Sequence, residues 1–258
     1  MGLEIVVCIK SVVVDAPKGR VVRSSDSCEL NPFDQPALET ALRLKEESGG
    51  TITALSMGPE SCAFILHEAM GMGVDRGVLV CDRALAGSDT LATSAALAAA
   101  IKKLAPFDLV LFGTRTADSD TGQVGPQTAV LLDLPLVTWS CSIERKEAGL
   151  VVERRADGFA ETFELSFPAA LTIHPAWVQA RDLGLAGLQT AFEDHEITTW
   201  TLADIGLSPD QVGEAGSPTR LLSLSRADRA RKCEFVEGTS DEQADELVRR
   251  LLESGLIS

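Results

Sequence analysis

Hydrophobic runs and amphipathic segments alternate along the first 135 residues of the chain. Four short runs contain almost no polar positions, which predicts strands that are buried on both faces of a sheet. These strands are predicted at LEIVVCIK (3–10), TITALSM (51–57), GVLVC (77–81) and DLVLF (108–112). The segments between and after them space their apolar residues three and four positions apart, which predicts helices. The predicted helices cover residues 31–47, 62–70, 89–104 and 122–133.

The pattern changes after residue 137, where strand-like segments follow one another directly. LVTWSCSIER, GLVVERRADG and ETFELSFPAALTI predict successive strands, the first two joined by a turn at residues 146–149. We expect them to extend the sheet or to form a small second layer. Residues 176–199 have no clean period, and residues 213–220 predict a loop. Residues 240–255 predict a helix capped by Ser240 or Asp241.

Strands that alternate with helices predict an α/β fold with a parallel sheet covered by helices. The expected fold is a parallel-sheet, adenine-nucleotide-binding domain of Rossmann-like, flavodoxin-like topology, with added strands and an extended C-terminal arm. We divide the chain into this domain, residues 1–185, and a second region, residues 186–258.

Composition and charge exclude several classes of function. The net charge of −15 argues against a nucleic-acid partner and an anionic membrane surface. No stretch approaches the roughly 18 apolar residues of a membrane helix, and the first ten residues lack the features of a secretory signal. We therefore expect a cytoplasmic protein with no integral membrane segment. Because the six cysteines form no CxxC pair, we expect Cys8, Cys62 and Cys81 to be reduced core residues.

The segments that follow strands are the candidate sites, because ligands in open α/β sheets bind beyond the carboxyl ends of the strands. GSDTLATS (87–94) places a carboxylate and several hydroxyls in the first turn of a helix. Hydroxyls beside the free N–H groups of a helix N-terminus favour a phosphate site. The alternative is an ordinary helix cap formed by Ser88 or Asp89.

GTRTADSDTGQVGP (113–126) follows the fourth strand and has a similar character. Gly113 permits a tight turn, and residues 121–124 can present N–H groups and a hydroxyl to a second phosphate. Asp118 and Asp120 are poor neighbours for an anion, so we assign them to capping or to a ribose. The alternative is a solvated surface loop, but two such loops in one sheet favour a ligand.

Other chemistry has no support in the sequence. The phosphate-binding patterns GxxxxGK[ST] and GxGxxG and the nucleophile patterns GxSxG and SxxK are missing. His67, His174 and His195 lie in no catalytic or metal-ligand spacing. From the residues alone we expect a nucleotide-binding α/β protein with no catalytic residues and no metal site.

Several motifs, in this order, resemble the β subunit of electron transfer flavoproteins. They are VCIK, NPFDQPALETALRLKE, ALSMGPE, EAMGMGVDRGVLV and GTRTADSDTGQVGPQTAVLLDLP. The resemblance covers nearly the whole chain. It implies a larger α subunit that carries an FAD, and a heterodimer that passes electrons between dehydrogenases and an acceptor. It also implies that residues 186–258 form a partner-recognition loop and an arm that wraps the α subunit.

The resemblance leaves the nucleotide of the β subunit open. In the housekeeping branch of the family it is AMP. In the bifurcating branch it is a second FAD, which takes hydride from NADH and divides the electron pair between a low-potential acceptor, such as ferredoxin or flavodoxin, and a flavin dehydrogenase. SDTLATS, DSDTGQVGP and GEAGSPTR look like the bifurcating branch and favour FAD. A more remote alternative is a nucleotide-binding regulator of the stress-protein type.

The resemblance also implies which residues contact the nucleotide. The adenosine part is assigned to Cys8, Asn31, Phe33, Asp34 and Met57. The pyrophosphate or flavin is assigned to Asp89, Thr90, Ala92 and Thr93. The phosphates are assigned to Gly113, Thr114, Asp118, Thr121, Gly122, Gln123 and Val124. Gly113 and Val124 are the two that a purely structural turn would also explain.

One stretch departs from the family pattern. In ARDLGLAGLQTAFEDHEI (180–197), Leu185 matches the leucine that anchors partner dehydrogenases in the family. Ala186 stands where the family has proline, and Glu193, Asp194 and Glu196 replace a lysine-rich run. We therefore expect Leu185 to bind a partner whose docking face differs from that of the usual acyl-CoA dehydrogenase.

Overall fold

The computed structural model describes residues 2–13, 28–220, 222–223 and 233–257. The chain forms two compact units, Met1–Leu222 and Ser223–Ser258. The first unit extends beyond the division that the sequence predicts after residue 185, because the helix and strand that follow this point pack on the α/β domain. The role of the C-terminal region toward a partner stays a prediction.

The described residues form strands and helices in the following order. They are β1 Leu3–Cys8, β2 Ser11–Val13, β3 Cys28–Leu30, α1 Gln35–Ser48, β4 Gly50–Met57, α2 Ala63–Gly71, β5 Arg76–Val80, α3 Thr90–Leu104, β6 Leu109–Gly113, α4 Val124–Leu131, β7 Leu136–Lys146, β8 Gly149–Ala156, β9 Phe159–Ser166, β10 Ala169–Ile173, α5 Leu185–Asp194, β11 Ile197–Trp200, α6 Gly213–Gly216 and α7 Ser240–Glu253. Of the helices that the structure describes, none combines the length and the apolar character needed to cross a membrane.

The main sheet has the strand order β11-β5-β4-β1-β6-β10-β7-β8-β9, and β2 pairs with β3 in a separate antiparallel ribbon. Strands β11 to β7 in this order pair in parallel, whereas β8 and β9 add an antiparallel meander. The predicted α/β class with a parallel sheet is thus confirmed. The order β5-β4-β1-β6 matches the 3-2-1-4 part of the Rossmann order, whereas β10 and β7 follow in exchanged positions. The strand order reverses between β1 and β6.

The sheet is covered on both faces, which explains why its strands are continuously apolar. Helices α1 and α2 pack on one face, and α3 and α4 pack on the other. Alternate side chains of β1 divide between the two cores: Ile5 and Val7 lie in the first, and Val6 and Cys8 in the second. Both cores end at the carboxyl ends of the strands, where the polar loops begin.

The structure corrects three predictions in the second half of the chain. The segment ETFELSFPAALTI divides at Phe167–Pro168 into β9 and β10, and β10 inserts between β6 and β7. The aperiodic stretch 176–199 contains α5 and β11, and the predicted loop 213–220 contains the short α6. The local pattern missed α5 because its contacts are tertiary: on α2, the His67 Nδ1 atom is 2.8 Å from the Ala191 carbonyl oxygen, and the imidazole stacks on Phe192 at 4.4 Å.

The N-termini of three helices show how each one is capped. Asp34 occupies the N-cap position of α1, but its side chain makes no cap hydrogen bond and instead accepts one from the Lys10 N–H. Helix α7 is capped by Thr239, one residue before the predicted cap, in a capping box with Glu242. Asp89 caps α3, and it is one of the two residues, Ser88 and Asp89, that the capping alternative named.

Candidate functional site

A groove of about 1560 Å³ lies at the carboxyl ends of β1, β4, β5 and β6. Its position coincides with the reversal of strand order between β1 and β6, where ligands bind in this class of sheet. The volume exceeds the range of about 300–1,000 Å³ that is usual for small-molecule pockets. The groove thus has room for a ligand larger than those that fill usual small-molecule pockets.

Most of the residues that the sequence assigned to the nucleotide line this groove. They are Cys8, Asp34, Met57, Asp89, Thr90, Thr93, Gly113, Thr114, Thr121, Gly122, Gln123 and Val124. Asn31, Phe33, Ala92 and Asp118 are not among the described residues of its lining. The structure therefore brings the two predicted loops together on one surface, while contact with a nucleotide stays a prediction.

The residues outside the lining support the loop that follows β6. Asn31 is fully buried, and its amide donates to the Arg115 carbonyl at 2.9 Å and accepts from the Ala117 N–H at 3.2 Å. The guanidinium of Arg115 lies over the ring of Phe33 at 4.4 Å. Ala92 is buried in α3. Asn31 and Phe33 thus fix the shape of the groove wall from behind.

A salt bridge joins this loop to the end of β1. The Lys10 ammonium donates to Asp118 Oδ1 at 2.7 Å and to Ser119 Oγ at 3.3 Å. Asp118 is thereby neutralised by a groove-lining cation, which removes the objection that its charge would repel a phosphate.

The N-terminus of α4 has the features of an anion site. Its N-cap residue, Gln123, makes no side-chain cap hydrogen bond, and the first helical residues, Val124 and Gly125, line the groove. Among the described residues, Thr114 carries a buried hydroxyl with no hydrogen-bond partner, and it lines the groove beside them. Buried polar groups are rarely left unsatisfied, so a phosphate oxygen at this helix terminus would fit both groups.

The N-terminus of α3 is different, because its own carboxylate caps it. Asp89 Oδ1 accepts from the N–H groups of Leu91 and Ala92, and Oδ2 accepts from the N–H and hydroxyl of Thr219. Burial acts to raise the pKa of Asp89, but these hydrogen bonds outweigh it and hold the pKa below its usual value. Asp89 therefore stays ionised and fully bonded.

The hydroxyl cluster at residues 89–94 divides accordingly. Ser94 is buried, is not among the described residues of the lining, and donates to the carbonyls of Thr90 and Val124. Thr90 and Thr93 face the groove, and the Thr90 hydroxyl donates to Gln123 Oε1 at 3.1 Å. Two hydroxyls of this cluster, rather than all of it, are therefore available to a ligand.

Asp34 and Cys8 form a buried polar pair beneath the groove. Burial raises the pKa of Asp34 to about 7, although hydrogen bonds from the Lys10 and Gly113 N–H groups oppose this shift. Burial, together with the charge of Asp34, raises the pKa of the Cys8 thiol. A Cβ atom at Gly113 would lie 2.2 Å from Asp34 Oδ1, so only glycine fits there. Cys8 is thus a neutral thiol and not a nucleophile at physiological pH.

The sequence interpretation missed several residues of the lining. Lys10 and Arg115 each lie two positions beyond the end of a central strand, which is a signal that could have placed both cations at the groove. Glu60, Arg83 and Thr219 also line it. Thr219 comes from the far end of the first unit, and the only signal for it in the sequence is the family resemblance of GEAGSPTR. Within the described part of the chain, no group of three histidine, cysteine or acidic residues is placed to hold a metal ion.

The fold and the groove define an α/β protein with a Rossmann-type sheet and a ligand site at its switch point. Residues 18–205 match the family model of the electron transfer flavoprotein domain. The chain belongs to the electron transfer flavoprotein family and is a β-type subunit, which implies an α-type partner.

Relatives align over nearly the whole chain. It is 37% identical to a subunit of the caffeyl-CoA reductase–Etf complex of Acetobacterium woodii, over 99% of this chain and all of that protein. It is 36% identical to the electron transfer flavoprotein subunit beta of Thermoanaerobacterium thermosaccharolyticum, over 96% of this chain and 98% of the relative. It is 34% identical to the acryloyl-CoA reductase electron transfer subunit gamma of Anaerotignum propionicum, over 99% of this chain and all of the relative.

Proposed function

We propose that this chain holds an FAD in its groove and, with its α-type subunit, takes part in flavin-based electron bifurcation. The extent of the groove carries the proposal, because its lining continues from the ends of β1 and β6 to the ends of β4 and β5. When bound, the FAD would accept hydride from NADH and pass the electrons on to two acceptors. The protein would supply position and electrostatics.

The residues divide into two groups along such a ligand. The N-terminus of α4 and the Thr114 hydroxyl would hold the phosphates. Arg115, which lies 3.6 Å from Asp120, would add positive charge to this part of the groove. Cys8, Asp34 and Met57 would border the adenosine part. Thr90 and Thr93 would face the pyrophosphate or the flavin, as the family resemblance implies. No proton donor or acceptor is needed from the chain for this chemistry.

AMP is the second candidate, and one observation favours it. Asp89 caps α3, so that this helix offers a nucleotide less positive potential than an uncapped N-terminus would. A chain with AMP in the groove would be a housekeeping carrier in which the nucleotide is structural. The stress-regulator alternative does not agree with membership of the electron transfer flavoprotein family.

The partners are proposed from the relatives and from α5. Two relatives are named as subunits that work with reductases of unsaturated acyl-CoA thioesters, so we propose a flavin dehydrogenase of acyl-CoA substrates as one partner. Leu185, which is 83% exposed at the start of α5, would anchor it. Ferredoxin or flavodoxin would be the low-potential acceptor, and the complex would act in the cytoplasm.

The test uses the complex of this chain with its α-type subunit under anaerobic conditions. NADH should bleach the flavin absorbance of the wild-type complex. Thr114→Val removes the orphaned hydroxyl and should weaken FAD retention in the groove by about tenfold. Thr128→Val is the matched control, because that hydroxyl is buried in α4 and donates within its own helix. Absence of bleaching by NADH, or equal FAD retention in both variants, would contradict the proposal.

A further inference from the structure

Two distant segments meet at one wall of the groove. Residues 213–219, here called the strap, pack against residues 84–89, about 130 positions earlier in the chain. The Glu214 N–H donates to the Ala86 carbonyl at 3.1 Å, and the Gly213 N–H donates to Ser88 Oγ at 2.9 Å. The wall is therefore built from both segments, and the strap forms its outer layer.

The contact between the strap and residues 84–89 requires glycine at position 213. Gly213 has φ +63°, and a Cβ atom there would lie 1.9 Å from the Ala84 carbonyl oxygen. Val212, just before the strap, is fully buried in the core that contains α3. The strap is thus held in one position, and a side chain at position 213 would displace it from residues 84–89.

Asp89 and Ser217 form the centre of the contact. Ser217 Oγ accepts from the Asp89 N–H at 2.8 Å and donates to the Gly213 carbonyl at 2.5 Å. Asp89 Oδ2 accepts from the N–H and hydroxyl of Thr219 at 3.0 and 2.8 Å. One carboxylate therefore caps α3 with its first oxygen and holds the strap with its second.

Thr219 and Asp89 line the groove, whereas Ser217 lies behind them and is not among the described lining residues. A ligand seated against this wall contacts atoms whose positions depend on the docked strap. By thermodynamic reciprocity, a ligand that favours the docked strap must bind more tightly when the strap is docked.

We propose that docking of the strap is coupled to nucleotide occupancy of the groove, with Asp89 and Ser217 as positioning residues. The inference rests on the proposed function only in that the groove must bind a nucleotide. It holds equally for FAD and for AMP.

Hydrogen–deuterium exchange on the full chain in complex with its α-type subunit tests the coupling. The nucleotide-free complex is compared with the same complex loaded with FAD or with AMP. We expect the amides of the strap to exchange at least about tenfold more slowly with bound nucleotide, and Ser217→Ala to abolish this protection. The same variant should weaken nucleotide affinity about 5- to 20-fold, although Ser217 does not line the groove.

Asp89→Asn provides a second variant in case Ser217→Ala impairs folding. Asparagine is as good an N-cap as aspartate, but its amide nitrogen cannot accept from the Thr219 N–H, so the cap is kept and this bond to the strap is lost. Thr201→Val is the matched control, because Thr201 makes the same N–H and hydroxyl bonds to Asp204 away from the groove.

The outcomes separate the two proposals. The coupling is overturned if the wild type binds nucleotide but the exchange of its strap is unchanged. It is also overturned if Ser217→Ala and Asp89→Asn bind nucleotide as tightly as the Thr201→Val control does. The proposed function survives in both cases. If the wild type binds neither FAD nor AMP, both the coupling and the proposed function are overturned.

Discussion

At the residue scale, the chemistry of the groove depends on which of its acidic side chains are ionised and how they are paired. Asp89 is held ionised by four hydrogen bonds, whereas Asp34 is buried and keeps its proton to about pH 7. Lys10 is neutralised by Asp118. The oxygens of Asp89 are thus taken up by hydrogen bonds and Asp118 is paired with Lys10, while the N-terminus of α4 has no side-chain cap and is the part of the groove that favours a phosphate.

Asp34 makes the stability of the first unit depend on pH. Its folded pKa of about 7 lies above the unfolded value of 3.8, so the folded state binds the extra proton between these values. The free energy of unfolding should fall as pH rises through this window, by about 1.4 kcal/mol per pH unit, and level off above it. Asp34→Asn keeps an acceptor for the Lys10 N–H and removes this dependence.

Urea unfolding followed by tryptophan fluorescence measures the effect, because Trp139, Trp177 and Trp200 all lie in the first unit. The stability of Asp34→Asn relative to the wild type should rise between about pH 4 and pH 7 and then stay constant. A difference that does not change with pH would show that Asp34 ionises normally.

At the element scale, a buried ion pair fixes the chain that leads into α5. Glu39 on α1 is 3% exposed, and both of its oxygens accept from the Arg181 guanidinium, at 2.8 and 3.2 Å. Burial acts to raise the pKa of Glu39, but the bonds from Arg181 and Arg43 outweigh it and lower the pKa. The start of α5, with Leu185, is thereby tied to the α/β domain.

Arg181→Ala should destabilise the first unit by about 2–4 kcal/mol at pH 7, because it leaves the Glu39 carboxylate buried with a weaker partner. The stabilisation by this pair is present above pH 4.5 and is lost as pH falls through the lowered pKa of Glu39. The loss of unfolding free energy caused by Arg181→Ala should therefore be smaller at acidic pH. Arg43→Ala is the control on the same carboxylate. Arg43 is exposed and makes one hydrogen bond to Glu39, so its loss should lower the free energy of unfolding by about 1 kcal/mol or less. Equal losses in the two variants at pH 7 would contradict this assignment.

The sequence predicted those elements whose stability is local. Continuous apolar runs identified β1, β4, β5 and β6, and helical spacing identified the helices between them, because both patterns depend on burial on the sheet. Helix α5 and strand β11 depend on contacts with α2 and β5, which no local window contains. The insertion of β10 between β6 and β7 is likewise a property of the whole sheet.

The same distinction holds for the site. Thr114 and Gln123 could be predicted, because they directly follow a strand or open a helix. Thr219 lies in GEAGSPTR, which the family resemblance marked, but its place in the groove depends on its bonds to Asp89, which only the folded chain shows. The sequence also could not tell that Asn31 supports the loop from behind, because the amide points to Arg115 and Ala117 only in the folded chain.

At the scale of the whole molecule, the acidic surface bears on the choice of partner. Glu193 and Glu196 are exposed on and just after α5, the helix that begins at the exposed Leu185. A partner that docks there should present basic side chains around an apolar pocket. Replacing both glutamates by lysine should slow association with the dehydrogenase partner by about tenfold at low salt and reverse the salt dependence of the rate.

Replacement of Glu144 and Glu147 by lysine is the control, because it makes the same change of net charge near the exposed β7–β8 turn. Stopped-flow association rates at several salt concentrations distinguish the two double variants. If both behave alike, the α5 surface has no specific role in docking and only the net charge matters.

The nucleotide content of the purified complex tests the central claim most directly. The chain is co-purified with its α-type subunit, the complex is denatured, and FAD and AMP are quantified by chromatography. We predict two FAD per heterodimer, one of them in the groove at the ends of β1, β4, β5 and β6. One FAD with one AMP would contradict the bifurcating assignment, and one FAD with no second nucleotide would contradict the assignment of the groove itself.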